Sequence, residues 1–236
     1  MSPALVISRR EIRTYFNSPV AYIVVTVFAI LTGYLFFSQL FVERQADLRS
    51  FFAVMPILFM FLAPAITMRL LADEKSTGTI ELLITLPVRD WEVVLGKFLA
   101  AMALLCSAIG LTLAFALTVR ALGPLDRGPA IGGYLGLVLM GGAYVSIGVM
   151  TSSFTRNSIV SFIVAFAISF GLFLVGKLTQ FVPPSLQALT TFLSIDGHFD
   201  NISRGVVDSR DVIYYLSVMG VCLLVATLSL ESRRWR

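Results

Sequence analysis

The side chains that could do chemistry are few in this sequence, and they stand apart. The one histidine, His198, has only Asp196 and Asp200 near it. A metal ion would need further histidine, cysteine or carboxylate ligands. His198 therefore reads as a solvated side chain or a local hydrogen-bond partner. Cys106 and Cys222 lie inside long apolar stretches, where cysteine is a small packing residue and not half of a disulfide. Gly171-Leu-Phe-Leu-Val-Gly176-Lys177-Leu178 fits the first seven positions of a phosphate-binding loop. It lacks the following Ser or Thr that would hold magnesium, and no soluble strand precedes it. The sequence thus predicts no catalytic residues, no metal site and no cofactor held by this chain, and the chain is not expected to be an enzyme.

The elements that would have to position any such group are membrane helices. Of 236 residues, 57% are hydrophobic and 14% are charged, and the mean hydropathy is +0.88. A water-soluble domain of this size could not hide that much apolar surface. The charges are bunched. Thr14–Val42, Ser50–Met68, Phe98–Val119, Gly128–Thr155, Asn157–Gly176 and Val212–Leu230 contain no Asp, Glu, Lys or Arg. About 20 apolar residues cross a bilayer as a helix, so each gap fits one crossing. The prediction is a single all-α transmembrane domain over 1–236, with spans at about 19–41, 51–71, 92–119, 130–152, 158–177 and 211–231. The runs lack the alternation of a membrane β-barrel.

Six crossings put both termini on one side. With the N-terminus inside, eleven basic residues fall on inner segments and seven on outer ones, the order the positive-inside rule prefers. The net charge of +4 reads as topology and anionic-lipid contact, not nucleic-acid binding. Residues 3–17 are expected to form a helix lying in the inner interface, opened by Ser2-Pro3 and closed by Ser18-Pro19; a frayed polar tail is the alternative. Lys177–Arg210 is expected to be an ordered outer loop before the last span, since so long a structureless loop is uncommon. No ionisable residue falls in mid-span, where a self-energised carrier would need one. Energy for any pumping would come from elsewhere.

The largest inner segment runs from Ala72 to Lys97. Thr79 is a plausible cap, Glu81 falls in a first turn, Ile80, Leu82, Leu83 and Leu86 supply an apolar surface, and Pro87 ends it. Asp90 can cap the next helix. Such a short amphipathic helix either meets a partner or rests on lipid headgroups.

Glu74-Lys-Ser-Thr-Gly-Thr-Ile-Glu-Leu-Leu-Ile-Thr-Leu-Pro-Val88, followed by Leu95-Gly96-Lys97, resembles the signature of ABC transporter permeases of the ABC type-2 class. The six spans, the N-terminal helix and the Ser152-Ser-Phe-Thr-Arg-Asn157 turn agree with it over nearly the whole chain. Asn17-Ser-Pro-Val-Ala-Tyr22 and the His198–Asp211 segment further resemble the GldF-like gliding-motility branch. The resemblance implies a cytoplasmic coupling helix that docks on a separate ABC ATPase subunit, with ATP and magnesium on that partner. It assigns coupling to Glu74, Gly78, Thr79, Glu81, Leu82, Leu83, Pro87 and Lys97, and a lesser contact to Arg156 and Asn157. It implies a permease in a bacterial inner membrane with cytoplasmic termini, paired with a second copy or with a related permease bearing an outer domain.

Two features bear on assembly. Gly132 and Gly136 form a GxxxG at the outer start of the fourth span, which lets helices approach closely. Pro56 and Pro64 each remove an amide from the second span, for a kink along a pathway or one used in packing. The function expected is the membrane subunit of an ATP-driven exporter. The alternative is a non-transporting scaffold through which an ATPase moves an outer partner.

Overall fold

A computed structural model describes residues 2–43, 47–79, 88–181 and 183–232. Its helices are α1 (Pro3–Asn17), α2 (Pro19–Glu43), α3 (Arg49–Thr67), α4 (Ala72–Ser76), α5 (Asp90–Leu122), α6 (Arg127–Phe154), α7 (Ser158–Leu178), α8 (Pro184–Leu193), α9 (Ile195–Ser203) and α10 (Ser209–Glu231), with a 3-10 turn at Thr179–Phe181. Among the described residues there is no strand. Six helices, α2, α3, α5, α6, α7 and α10, are long and apolar enough to cross a membrane. The chain is an all-α, six-span membrane protein.

Local chemistry sets the helix ends. Pro19 forces Ser18 into extended backbone, with ψ at 143°, because its ring clashes with a helical predecessor. That breaks α1 from α2, and Ser18 Oγ then accepts from Val20 N at 3.3 Å. Asp126 accepts from Gly128 N at the start of α6. Asn157 accepts from Ile159 N and Val160 N at the start of α7, and Asp208 accepts from Arg210 N at the start of α10. Each satisfies amides that a helix start leaves bare. At α5 the cap is Arg89, not Asp90. Glu92 reaches back to accept from Arg89 N at 3.0 Å, the return half of a capping box.

The helix α6 is the axis of the bundle and the most buried span. Helices α3, α5, α7, α9 and α10 all pack on it. Its glycines make this possible: a Cβ on Gly148 would lie 1.9 Å from Thr67 Oγ1. Gly132 and Gly136 do not face another span. They face α9, where a Cβ on Gly132 would meet the Ile202 carbonyl at 2.4 Å and one on Gly136 would meet the Phe199 ring at 3.0 Å. Pro56 and Pro64 are buried within an α3 that continues through both.

The outer faces of α2, α7 and α10 are apolar and exposed, and α7 buries only Ser161, Ala165 and Ser169. Small residues turned inward and large ones turned outward suit a bilayer, where lipid is as apolar as leucine and close approach decides packing. Gly171–Lys177 is helical throughout within α7. It therefore offers no loop of amides to a phosphate, as the sequence indicates.

Candidate functional site

At the end of the bundle that carries the termini, four charged side chains from three helices meet. Lys97 lies two turns into α5, only 1% exposed, and its ammonium lies 2.7 Å from Glu74 Oε1 and 3.3 Å from Glu11 Oε1. Arg10 closes the group, 3.2 Å from Glu11 and 3.7 Å from Glu74. A buried ammonium is tolerated only when paired and hydrogen-bonded, and two carboxylates supply that here. Glu74 also sits in the first turn of α4, where the helix dipole favours negative charge.

Gly96 brings α1 close enough for this contact. A Cβ there would lie 2.8 Å from the Ala4 carbonyl and 2.9 Å from Ile7 Cβ, so a larger residue would push α1 off α5. Farther along α1, Tyr15 donates to the Ile66 carbonyl at 2.9 Å, one of the acceptors left open at the end of α3. Burial first, and then the Glu11 carboxylate, push the Tyr15 phenol well above the ordinary tyrosine range. It stays protonated and remains a donor.

The other side of the segment is held by α6. Ser152 Oγ accepts from Leu71 N and Ala72 N, each at 3.0 Å, and donates to the Met68 carbonyl at 3.2 Å. One hydroxyl thus bridges the end of α3 and the start of α4. The buried ammonium of Lys75 donates to the Ser153 carbonyl, which also accepts from Ser229 Oγ of α10 at 2.9 Å. The turn out of α4 uses Gly78 at φ 74°, a left-handed position that glycine adopts freely. Thr77 and Thr79 bond back to α4 carbonyls.

The structure therefore brings Glu74 and Lys97 into direct contact and places Gly78 and Thr79 exposed beside them. Arg156 and Asn157 are exposed at the same end, with the Asn157 amide oxygen spent on capping α7. Glu81, Leu82, Leu83 and Pro87 lie outside the described residues. Sequence reasoning missed Glu11, Tyr15, Ser152 and Ser153 as partners of this segment. The available signal was Lys97 itself, a lysine too deep in an apolar helix to lack a carboxylate from elsewhere in the chain.

At the opposite end, α8 and α9 cover the ends of α6, α7 and α10. His198 Nε2 donates to the Phe192 carbonyl at 3.1 Å, and Nδ1 lies 2.6 Å from Asp211 Oδ1. The ring stacks on Tyr214 at 4.0 Å. Lys177 pairs with Asp196. Both ring nitrogens of His198 are engaged within the protein, so it is a local hydrogen-bond partner. Among the described residues no group of three or more His, Cys, Asp or Glu could hold a metal ion.

The comparisons agree with the architecture. The profile of a family described as "ABC-2 family transporter protein" matches residues 5–195, from α1 through the start of α9. No curated protein matches the chain. Proteins of that family are non-catalytic membrane subunits that generally pair with a cytoplasmic ATPase. With the profile covering most of its length, this chain belongs to the ABC-2 family of membrane transporter proteins.

Proposed function

We propose that the chain is the permease subunit of an ATP-driven exporter, and that it passes ATPase motion into its spans through residues 72–97. The observation that carries this reading is the double anchoring of that segment. Glu74 is tied to α1 and α5 through Lys97 and Glu11, and the start of α4 is tied to α6 through Ser152. A displacement applied near Thr79 has a polar path into three helices at once. In this role Lys97 and Glu74 act from within, fixing the root of the coupling element, while Gly78, Thr79 and the stretch carrying Glu81, Leu82, Leu83 and Pro87 meet the ATPase. Arg156 and Asn157 supply a second, smaller contact.

In the same reading α1 lies in the inner interface, both termini are cytoplasmic, and the membrane is a bacterial inner membrane. A second copy, or a related permease with an outer domain, completes the pathway. The segments Asn17–Tyr22 and His198–Asp211 support a place in the GldF-like branch. A role in motility does not follow from that placement.

The test is a pair of substitutions. Glu81→Lys puts a wrong charge into a desolvated interface, where like-charge juxtaposition costs several kcal/mol. Leu83→Ala removes an apolar anchor of a kind that can carry roughly 2 kcal/mol. Both variants should insert and fold, then lose the co-purifying ATPase subunit or its substrate-stimulated hydrolysis. On a helix that merely rests on lipid, Glu81→Lys would be neutral or would strengthen membrane binding by ~1 kcal/mol. Normal ATPase recovery and normal transport in both variants would overturn the docking.

A further inference from the structure

A cavity of about 340 Å³ opens beside the charge cluster, between α1, the end of α3 and α4. Its charged lining is Arg10, Arg69 and Lys97 against Glu11, Asp73 and Glu74. The lining is balanced in sign. Arg10 and Arg69 stand on the rim, each with its side chain 60% exposed. Asp73 and Glu74 stand along α4; Arg69 reaches Asp73 only at 4.0 Å, and Glu74, paired through Oε1, keeps Oε2 without a hydrogen-bond partner. A site with matched arginines and carboxylates has no net attraction for a simple anion. It is complementary to a group carrying both signs within a few ångströms. Guanidinium groups suit phosphate oxygens, and carboxylates suit a donor of N–H bonds.

Below the cavity the surface turns apolar without a break. Val20 lines the cavity itself. From it a stripe of exposed residues, Ile23, Val27, Ile30 and Tyr34, runs along one face of α2. The spacing of three and four residues keeps them on one side of the helix. The polar chamber therefore sits at one end of an apolar track about 21 Å long, at ~1.5 Å of helix per residue, enough for an acyl chain of one leaflet.

We propose that this cavity binds the headgroup of an ethanolamine phospholipid, with its phosphate between Arg10 and Arg69, its ammonium toward Asp73 and Glu74, and an acyl chain along the α2 stripe. The primary ammonium matters because it donates hydrogen bonds to carboxylates, whereas a choline headgroup has no N–H to give. The binding belongs to the chain by itself and does not depend on the docking reading, so an ATPase-free preparation tests it alone.

The experiment is native mass spectrometry of the full chain in mild detergent, titrated with ethanolamine, glycerol and choline phospholipids of one acyl composition. The ethanolamine lipid should be retained in preference to both others. Arg69→Ala and Asp73→Asn, two exposed-rim changes that leave the Lys97 cluster whole, should each weaken that retention by about tenfold, the loss of one charge-assisted bond. Glycerophosphoethanolamine, the headgroup without chains, should fail to displace the lipid at equal concentration. Stronger retention of the glycerol lipid, equal retention of all three, or unchanged retention in both variants would overturn the site. Equal binding of the chain-free headgroup would overturn its assignment to a lipid.

Discussion

Lys97 shows what a single residue does to this architecture. Its ammonium is paired twice, with Glu74 and Glu11 on different helices. Removing it would leave two neighbouring carboxylates with only the solvent-facing Arg10 to balance them. Breaking a buried pair from one side typically costs ~3–5 kcal/mol. Lys97→Met is therefore expected to lower the thermal midpoint of the detergent-solubilised chain far more than Arg10→Met. Adding Glu74→Leu to Lys97→Met should recover part of the loss, because charges acting as a unit are non-additive. Strictly additive losses would show that the cluster is not one unit. Although the depth of Lys97 in an apolar helix already calls for a carboxylate, the sequence assigns Lys97 and Glu74 to one functional element only through family resemblance. Glu11 escapes it, since a glutamate among three arginines on a short amphipathic helix reads as surface charge. Only the close approach allowed by Gly96 turns it into a partly buried partner of Lys97.

Helices were legible where their signal is a gap between charges. The six spans follow from uncharged runs of bilayer length, and a charge within such a run is costly enough to make the pattern reliable. Packing partners were not legible in the same way. Gly132 and Gly136 carry the spacing of a helix–helix contact, but that spacing is blind to what lies opposite, and here the partner is the short helix α9. The obstacle at Gly132 is a backbone carbonyl, Ile202 O, which cannot rotate away as a side chain could. Gly132→Val should therefore displace α9 at a cost of roughly 1–3 kcal/mol, the usual price of overpacking. Proteolysis is the readout. In the native chain the region 183–208 should resist protease added from that side, and in Gly132→Val it should be cut while α10 stays protected. Equal cleavage in both would mean that the glycine contact does not hold α9.

At the scale of the whole molecule, one physical fact organises the rest: the two ends of the bundle differ. The end with the termini gathers Arg10, Arg69, Lys75 and Lys97 at the segment 68–79, held by Ser152 and Ser153. The opposite end is closed by α8 and α9, with Lys177 paired to Asp196 and His198 to Asp211. By simple count eleven basic residues fall at the terminal end and seven at the other, and the proposed orientation rests on that excess. Basic residues near span ends resist translocation and favour the cytoplasmic side. In a background without Cys106 and Cys222, a cysteine placed at Ser76 or Ser232, both exposed at the terminal end, should react with an impermeant thiol reagent only after the cells are opened. A cysteine at Ser209, exposed at the start of α10, should react in intact cells. Each site lies outside the apolar run of its helix, so the change should not disturb insertion. Labelling of Ser76 from outside in intact cells would invert the molecule, put α4 and its anchors beyond the reach of a cytoplasmic ATPase, and remove the basis for coupling through residues 72–97.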